Sequence, residues 1–346
     1  DAVVVANEPS SSRLGALVAN AVRCGVGPWL RCTRTTGQKL FAALPKESAN
    51  LILLAAPCSG DTLARREGRG LAKHLRGQPD AASMKEIVAT QLELVRAAWP
   101  CLKEGGALVY ATCSLRPRED EEVVHQVLKE FADASLEYLA GLAAGGDATL
   151  RLWPQTHDSA GFFAAKLRKA GDGGGAAVAT DADEDVADAA RDYLRDAWGV
   201  TSLVGPASSR LVGRGANLWL APAAPPLAKN LRYERAGAKL VEALKVRGKA
   251  VPLGQALRSG RVRATHEFAT TLGGHVDAAR RASLDDASAL AYLRGDDVDA
   301  APPSGEPGDQ CLVAHGGRVL GLAKVLKGGR LKNQLPRECV RRDLAF

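Results

Sequence analysis

Residues 51–60 read Leu-Ile-Leu-Leu-Ala-Ala-Pro-Cys-Ser-Gly, and residues 107–114 read Ala-Leu-Val-Tyr-Ala-Thr-Cys-Ser. Each is a short apolar run that stops at a cysteine followed by a serine. Unalternating runs of this length suit strands covered on both faces. Between them, Ala82–Leu102 carries Ile87, Leu92, Leu94 and Val95 as inward candidates of an amphipathic helix. Strand, helix, strand is the signature of parallel pairing through a crossover. In such an open sheet ligands bind outside the carboxyl ends of the strands, so Cys58 and Cys113 are delivered to one rim.

Outward from this unit the pattern continues. Val3–Ala6 reads as a strand and Ser12–Cys24 as a helix, with the serines at 10–12 as candidate caps. Glu119–Phe131 reads as another helix with acidic residues in its first turn. The α/β alternation lasts to about Lys169. Residues 171–185 begin Gly-Asp-Gly-Gly-Gly, hold few large apolar side chains and read as a flexible linker. The expected organisation is a catalytic domain over 1–170, a linker over 171–185 and a second region over 186–346. In that region Val186–Trp198 has a helical pattern, Asn217–Ala221 is strand-like, and Cys311–Lys327 reads as short strands joined by Gly-Gly turns.

Composition narrows the function classes. The chain has 346 residues, 46% of them hydrophobic and 25% charged, and its apolar runs fall far short of the roughly 18 residues of a membrane helix. The formal charge is +7, and residues 315–346 hold eight basic against two acidic side chains. One short segment thus carries most of the excess, which favours a polyanionic partner such as RNA. The seven cysteines include no Cys-x-x-Cys spacing, so neither a disulfide framework nor a metal site is indicated, and a reducing intracellular compartment is expected. The first residue is Asp1, and a segment upstream of it is expected.

Two thiols at one rim suit covalent attack on an electron-poor ring, where one sulfur adds and another group assists elimination. Methylating carbon 5 of a pyrimidine needs such help, because that carbon becomes nucleophilic only after a thiolate has added to carbon 6. A cysteine protease would need a paired histidine, and His74, His125 and His157 sit in no protease-like context.

The motifs themselves resemble a known family. Pro57-Cys-Ser-Gly60, Tyr110-Ala-Thr-Cys-Ser-Leu115, Ala6-Asn-Glu8 with Ser12-Arg13, and Pro154-Gln155 leading to Asp158-Ser-Ala-Gly-Phe-Phe163 are similar to the motif series of the Sun-type RNA cytosine-5 methyltransferases. Gly321-Leu-Ala-Lys324, Arg330-Leu-Lys-Asn333 and Pro336-Arg-Glu338 resemble the terminal domain of its F-type branch, the bacterial 16S rRNA enzymes. The resemblance implies a Rossmann-like S-adenosylmethionine-dependent methyltransferase sheet followed by a C-terminal mixed α+β, PUA-like RNA-binding domain. It implies Cys113 as the nucleophile and Cys58 as the group that assists product release. Glu8 would hold the ribose hydroxyls of S-adenosyl-L-methionine, with Arg13, Thr36 and Ala55 completing the cofactor positions. Lys324, Arg330, Lys332 and Arg337 would meet RNA phosphates, with small-subunit rRNA or a ribosomal particle as the partner.

Three departures accompany the resemblance. Ala55 stands where the family carries the Asp that engages the cytosine edge. Thr36 stands before Gly37 where an Asp accepts from the adenine amino group. The glycine-rich first motif, on a strand that is central in the family's sheet, would lie upstream of Asp1. The alternative these departures suggest is a catalytically degenerate homologue that binds ribosomal RNA as a structural or assembly protein.

Overall fold

The computed structural model describes residues 2–60, 79–138, 148–171, 186–223, 225, 227–228, 231–303 and 306–343. His74 and, apart from Gly171, the expected linker at 171–185 lie outside the described residues. The chain forms two compact units, one from residues 1–35, 179–224 and 232–346, the other from 36–178 and 225–231.

The first unit opens with β1 (Val4–Asn7), helix α1 (Ser11–Arg23) and β2 (Leu30–Thr33). The two strands pair in parallel, Val4 opposite Leu30 and Asn7 opposite Thr33. Ser10 occupies the N-cap of α1, but its hydroxyl makes no capping bond. The Glu8 carboxylate instead accepts the Ser10 N–H at 2.8 Å.

The second unit holds α2 (Gly37–Ala43), β3 (Ala49–Ala55), α3 (Ala81–Ala98), β4 (Leu102–Thr112), α4 (Glu121–Glu130), β5 (Ala134–Glu137), β6 (Thr149–Leu152), α5 (Pro154–His157) and β7 (Phe162–Lys169). β3 and β4 are parallel, as expected, with Ala55 opposite Ala111. The rest of the sheet is not: β7 runs antiparallel to β4, and β5 and β6 both run antiparallel to β7. Connection length explains the direction of β6 and β7. Only residues 153–161 join them, too few for the dozen or so that a parallel crossover requires. The helix expected to reach Leu102 ends at Ala98, because Pro100 cannot continue it; a 3-10 turn over Trp99–Cys101 follows and Leu102 begins β4.

One face of β3 carries Ile52 and Leu54 into a core with Leu92 and Val95 of α3, Tyr110 of β4, Val123 and Val127 of α4 and Leu167 of β7. Ile87 of α3 is only half-buried. On the opposite face of β3, Leu51 and Leu53 are 62% and 70% exposed. Among the described residues β3 pairs only with β4, and β1 only with β2.

The first unit continues with α6 (Ala187–Trp198), β8 (Arg210–Arg214), β9 (Asn217–Ala221), β10 (Arg235–Ala236), β11 (Ala238–Ala243), α7 (Leu253–Arg258), β12 (Val262–Ala264) and α8 (His266–Leu272). Strands β12-β11-β9-β8 form one antiparallel sheet, whereas β10 pairs with β2, Arg235 opposite Cys32. The switch takes a single residue. Gly237 has φ +81°, and a Cβ there would come within 2.0 Å of the Leu220 carbonyl oxygen, so only glycine fits.

A last sheet follows, from β13 (Arg281–Ser283), α9 (Asp286–Leu293), β14 (Val298–Asp299), β15 (Gln310–His315), β16 (Arg318–Val325) and β17 (Arg330–Asn333), in the strand order β13-β15-β16-β17-β14. The glycine pairs at 316–317 and 328–329 make its hairpin turns, as the sequence predicts. Tyr292 of α9 is buried against this sheet, its hydroxyl donating to the Leu322 carbonyl at 2.7 Å. Among the described residues no helix is long and apolar enough to cross a membrane.

Candidate active site

Parallel pairing of β3 with β4 brings the two thiols together: Cys58 Sγ and Cys113 Sγ are 3.1 Å apart, both half-buried. The contact with Cys113, followed by burial, pushes the Cys58 thiol well above its ordinary range. Gly60, with φ +73°, turns the chain directly after Cys58-Ser59.

A third residue, 0% exposed, stands behind the pair. Glu119 Oε1 accepts the hydroxyls of Ser59 (2.5 Å) and Ser114 (2.8 Å), while Oε2 accepts the Ser59 N–H (2.8 Å) and Gln91 Nε2 (3.3 Å). Gln91, on α3, also donates to the Pro57 carbonyl at 2.9 Å. Beside it lies a second buried carboxylate. Asp120 accepts the Thr112 hydroxyl at 2.6 Å and Arg151 at 2.8 Å. Burial nevertheless pushes the Asp120 carboxyl up to about 6, against the lowering effect of Thr112 and Arg151. Arg151 also binds Glu121, and its guanidinium lies over the rings of Trp153 and Phe163.

The sequence singles out the thiols but not Glu119, Asp120 or Arg151. Glu119 and Asp120 read as exposed first-turn acids of a helix, whereas α4 begins only at Glu121 and both precede it in a turn. Two carboxylates just beyond a strand end, with Pro117 delaying the helix, are the signal that was available.

Glu8 and Arg13 meet in the first unit. Glu8 Oε1 takes Arg13 Nε at 3.0 Å and Arg13 Nη2 at 2.8 Å, besides the Ser10 N–H. Among the described residues Oε2 takes no hydrogen bond, which leaves it able to accept from a sugar hydroxyl. Thr36 is the N-cap of α2, its hydroxyl accepting the Lys39 N–H at 3.4 Å. Ala55 ends β3 on the exposed face and offers no polar side-chain atom. Of Gly161-Phe162-Phe163, Phe163 is core and Phe162 is 37% exposed. His125 is exposed on α4, and His157 bonds within its own turn to Trp153 and Thr156.

In the last sheet Lys324 of β16 lies directly opposite Lys332 of β17, and both are exposed. Arg330 lies on the same face of β17 as Lys332 and approaches Asp299 at 3.6 Å; Arg337 is exposed in a 3-10 turn. Like charges opposed across a ladder destabilise it. The two ammonium groups therefore gain from an anion that spans them.

The model of the 16S rRNA methyltransferase RsmB/F family matches residues 1–168, and that of the methyltransferase RsmF PUA domain matches residues 279–341, which contain β13–β17. The ribosomal RNA small subunit methyltransferase F of Shewanella loihica is 36% identical over 98% of this chain and 67% of its own length. Its counterpart in Serratia proteamaculans is 34% identical over 98% of this chain and 68% of its own. Among solved structures, NSun6 from Pyrococcus horikoshii with SFG is 26% identical, with a TM-score of 0.38 over 49% of this chain and 42% of its own.

Proposed function

Because the chain belongs to the ribosomal RNA small subunit methyltransferase F family, we propose that it methylates carbon 5 of a cytosine in small-subunit rRNA by transient covalent attachment to Cys113. The observation that carries the chemistry is the 3.1 Å separation of two sulfurs at adjacent strand ends. Contact with Cys113 and burial push the Cys58 thiol up, so the two sulfurs resist ionising together; the resemblance to the family makes Cys113 the sulfur that would present an electron pair to the ring. A bond from Cys113 Sγ to carbon 6 makes carbon 5 the nucleophile. S-adenosyl-L-methionine, when bound, supplies the methyl group. Release then requires a base to take the carbon 5 proton while the electron pair of that C–H bond re-forms the ring double bond and the Cys113–carbon 6 bond breaks to return a thiolate; Cys58, as a thiolate, would be that base.

The cofactor reading rests on the residues one by one. Glu8 would bind the ribose hydroxyls through Oε2, held in orientation by Arg13 and the Ser10 N–H. Thr36, which by the resemblance stands at the adenine position, would offer its hydroxyl as an acceptor, and Ala55 would leave the cytosine edge to other groups. Residues 1–170 would carry the transfer, with 186–346, joined through 171–185, holding the RNA. There the opposed Lys324 and Lys332, with Arg330 and Arg337, supply phosphate contacts. The preserved thiol pair, and similarity to the F-type enzymes over nearly the whole chain, favour catalysis over a degenerate RNA binder.

Labelled methyl transfer to small-subunit rRNA tests this. Wild-type protein labels the RNA, and Cys113→Ala lowers the rate on the order of 10⁴-fold or more. Cys58→Ala accumulates a covalent protein–RNA adduct that the double cysteine variant lacks. Equal labelling by wild type and Cys113→Ala rejects the mechanism.

A further inference from the structure

We propose that Glu119 is a positioning residue for the thiol pair: its buried carboxylate ties the Cys58-Ser59 and Cys113-Ser114 dipeptides into one piece and so sets the distance between the two sulfurs. The proposal rests on the methyltransferase reading above and adds to it a residue that touches neither sulfur.

The two dipeptides are 55 positions apart in the chain and extend from different strands. Backbone pairing of β3 with β4 ends at Ala55 and Ala111, apart from one further bond from the Ala56 N–H to the Ala111 carbonyl at 2.9 Å. Beyond that point the ladder no longer holds the thiols in step. What ties the two there is Glu119, beside a direct contact of the Ser59 and Ser114 hydroxyls at 3.3 Å. Each dipeptide follows its sulfur with a serine, and both serine hydroxyls donate to Oε1, at 2.5 and 2.8 Å. Oε2 takes the Ser59 N–H and, from the side of α3, Gln91.

The clamp is itself anchored. The Tyr110 hydroxyl donates to the Glu119 carbonyl at 2.6 Å, and the Glu119 N–H donates to the Arg116 carbonyl at 3.0 Å. A carboxylate this deeply buried is tolerable only while its donors stay in place. Bonds to a charged acceptor are also about twice as strong as neutral ones. Neither loop can therefore drift without breaking bonds the carboxylate needs. Covalent catalysis is sensitive to this, since a displacement of about 1 Å can cost roughly 100-fold in rate.

The test compares wild type with Glu119→Ala and Glu119→Gln. The first readout is the equilibrium between the Cys58–Cys113 thiols and their disulfide in a glutathione redox buffer, followed by peptide mass mapping. Joining the pair removes two electrons and two protons from the thiols and converts one glutathione disulfide into two glutathione thiols, so the equilibrium constant reports how closely the sulfurs are held. The second readout is kcat and KM for methyl transfer. Glu119→Ala lowers the disulfide equilibrium constant by about 10-fold or more and kcat by roughly 10- to 100-fold, with KM changed less than about 2-fold. Glu119→Gln keeps the shape and one acceptor, and loses less in both. An unchanged disulfide equilibrium in Glu119→Ala overturns the proposal, whatever happens to kcat. If that variant fails to fold, Ser59→Ala and Ser114→Ala each cut one hydroxyl bond to Glu119, together with the contact between the two hydroxyls, and are read the same way. Wild-type protein that transfers no methyl group sinks the proposed function instead, while the thiol equilibrium still decides the role of Glu119.

Discussion

Two carboxylates stand just beyond strand ends in this molecule, Glu8 after β1 and Glu119 after β4, and they are held in opposite ways. Glu119 is 0% exposed, with both oxygens engaged by four donors. Glu8 has a side chain 20% exposed, its protein bonds all fall on Oε1, and its Arg13 partner is 72% exposed. The strand-end setting is similar, but the number of donors divides the roles. A saturated carboxylate holds protein segments in place, whereas one with a spare oxygen at the surface can serve a ligand that comes and goes.

The largest break in this comparison comes on the buried side. Arg151→Met removes the cation from the buried Asp120, and loss of one partner of such a pair costs about 3–5 kcal/mol. Urea unfolding measures it, and a cost below about 1 kcal/mol would mean that this rim is no more fixed than the exposed one. The pH dependence sharpens the point. The folded-state Asp120 pKa of about 6 lies above its ordinary 3.8, so protonation of this group contributes stability fully present below about 4 and lost as pH rises through about 6. Arg151→Met therefore costs less at pH 5 than at pH 7, because the stranded carboxylate can take a proton. An equal cost at both pH values would exclude Asp120 as the source.

Glu8→Gln is the matching break on the exposed side. A surface pair with Arg13 contributes only about 0–1 kcal/mol to folding, so unfolding curves barely move. Affinity for S-adenosyl-L-methionine, by calorimetry, falls roughly 10-fold, the value of one hydrogen bond to a charged acceptor. A large loss of stability with unchanged affinity would reverse the assignment. The smallest effect belongs to Lys324→Gln with Lys332→Gln. Relieving the opposed charges stabilises the last sheet by about 0.2–1 kcal/mol. The same change flattens the slope of log affinity for rRNA against log salt by about 1.4–1.8 if both lysines meet phosphates. A salt dependence identical to wild type removes these two lysines from the RNA surface.

Much of this arrangement was legible in the residues. Local apolar runs locate β3, β4 and β9, and strand-end chemistry brings Cys58 and Cys113 to one rim. Strand direction was harder. Phe162–Lys169 carries Lys166, Arg168 and Lys169 and is no uninterrupted apolar run like Ala107–Thr112, and the short connection at 153–161 explains only why β7 turns back against β6, not its antiparallel pairing with β4. Two-residue strands such as β10 and β14 are below any periodicity. Glu119 escaped for a different reason. Its role depends on Ser59, which is 60 positions away, and a run of four acids looks like a solvated helix start until burial is known. The pairing of Arg330 with Asp299 was likewise invisible, because exposed charges find partners through tertiary proximity.

Gly237 bears on how the first unit comes apart. Arg235 and Ala236 are stitched to β2, and Ala238 onward to β9, with that one glycine between them. A peptide bond shared so tightly passes load directly: prising β2 loose pulls on the antiparallel sheet within a residue. The N-terminal strands and the sheet that follows α6 are therefore yoked, and fraying that begins in either is felt at once by the other.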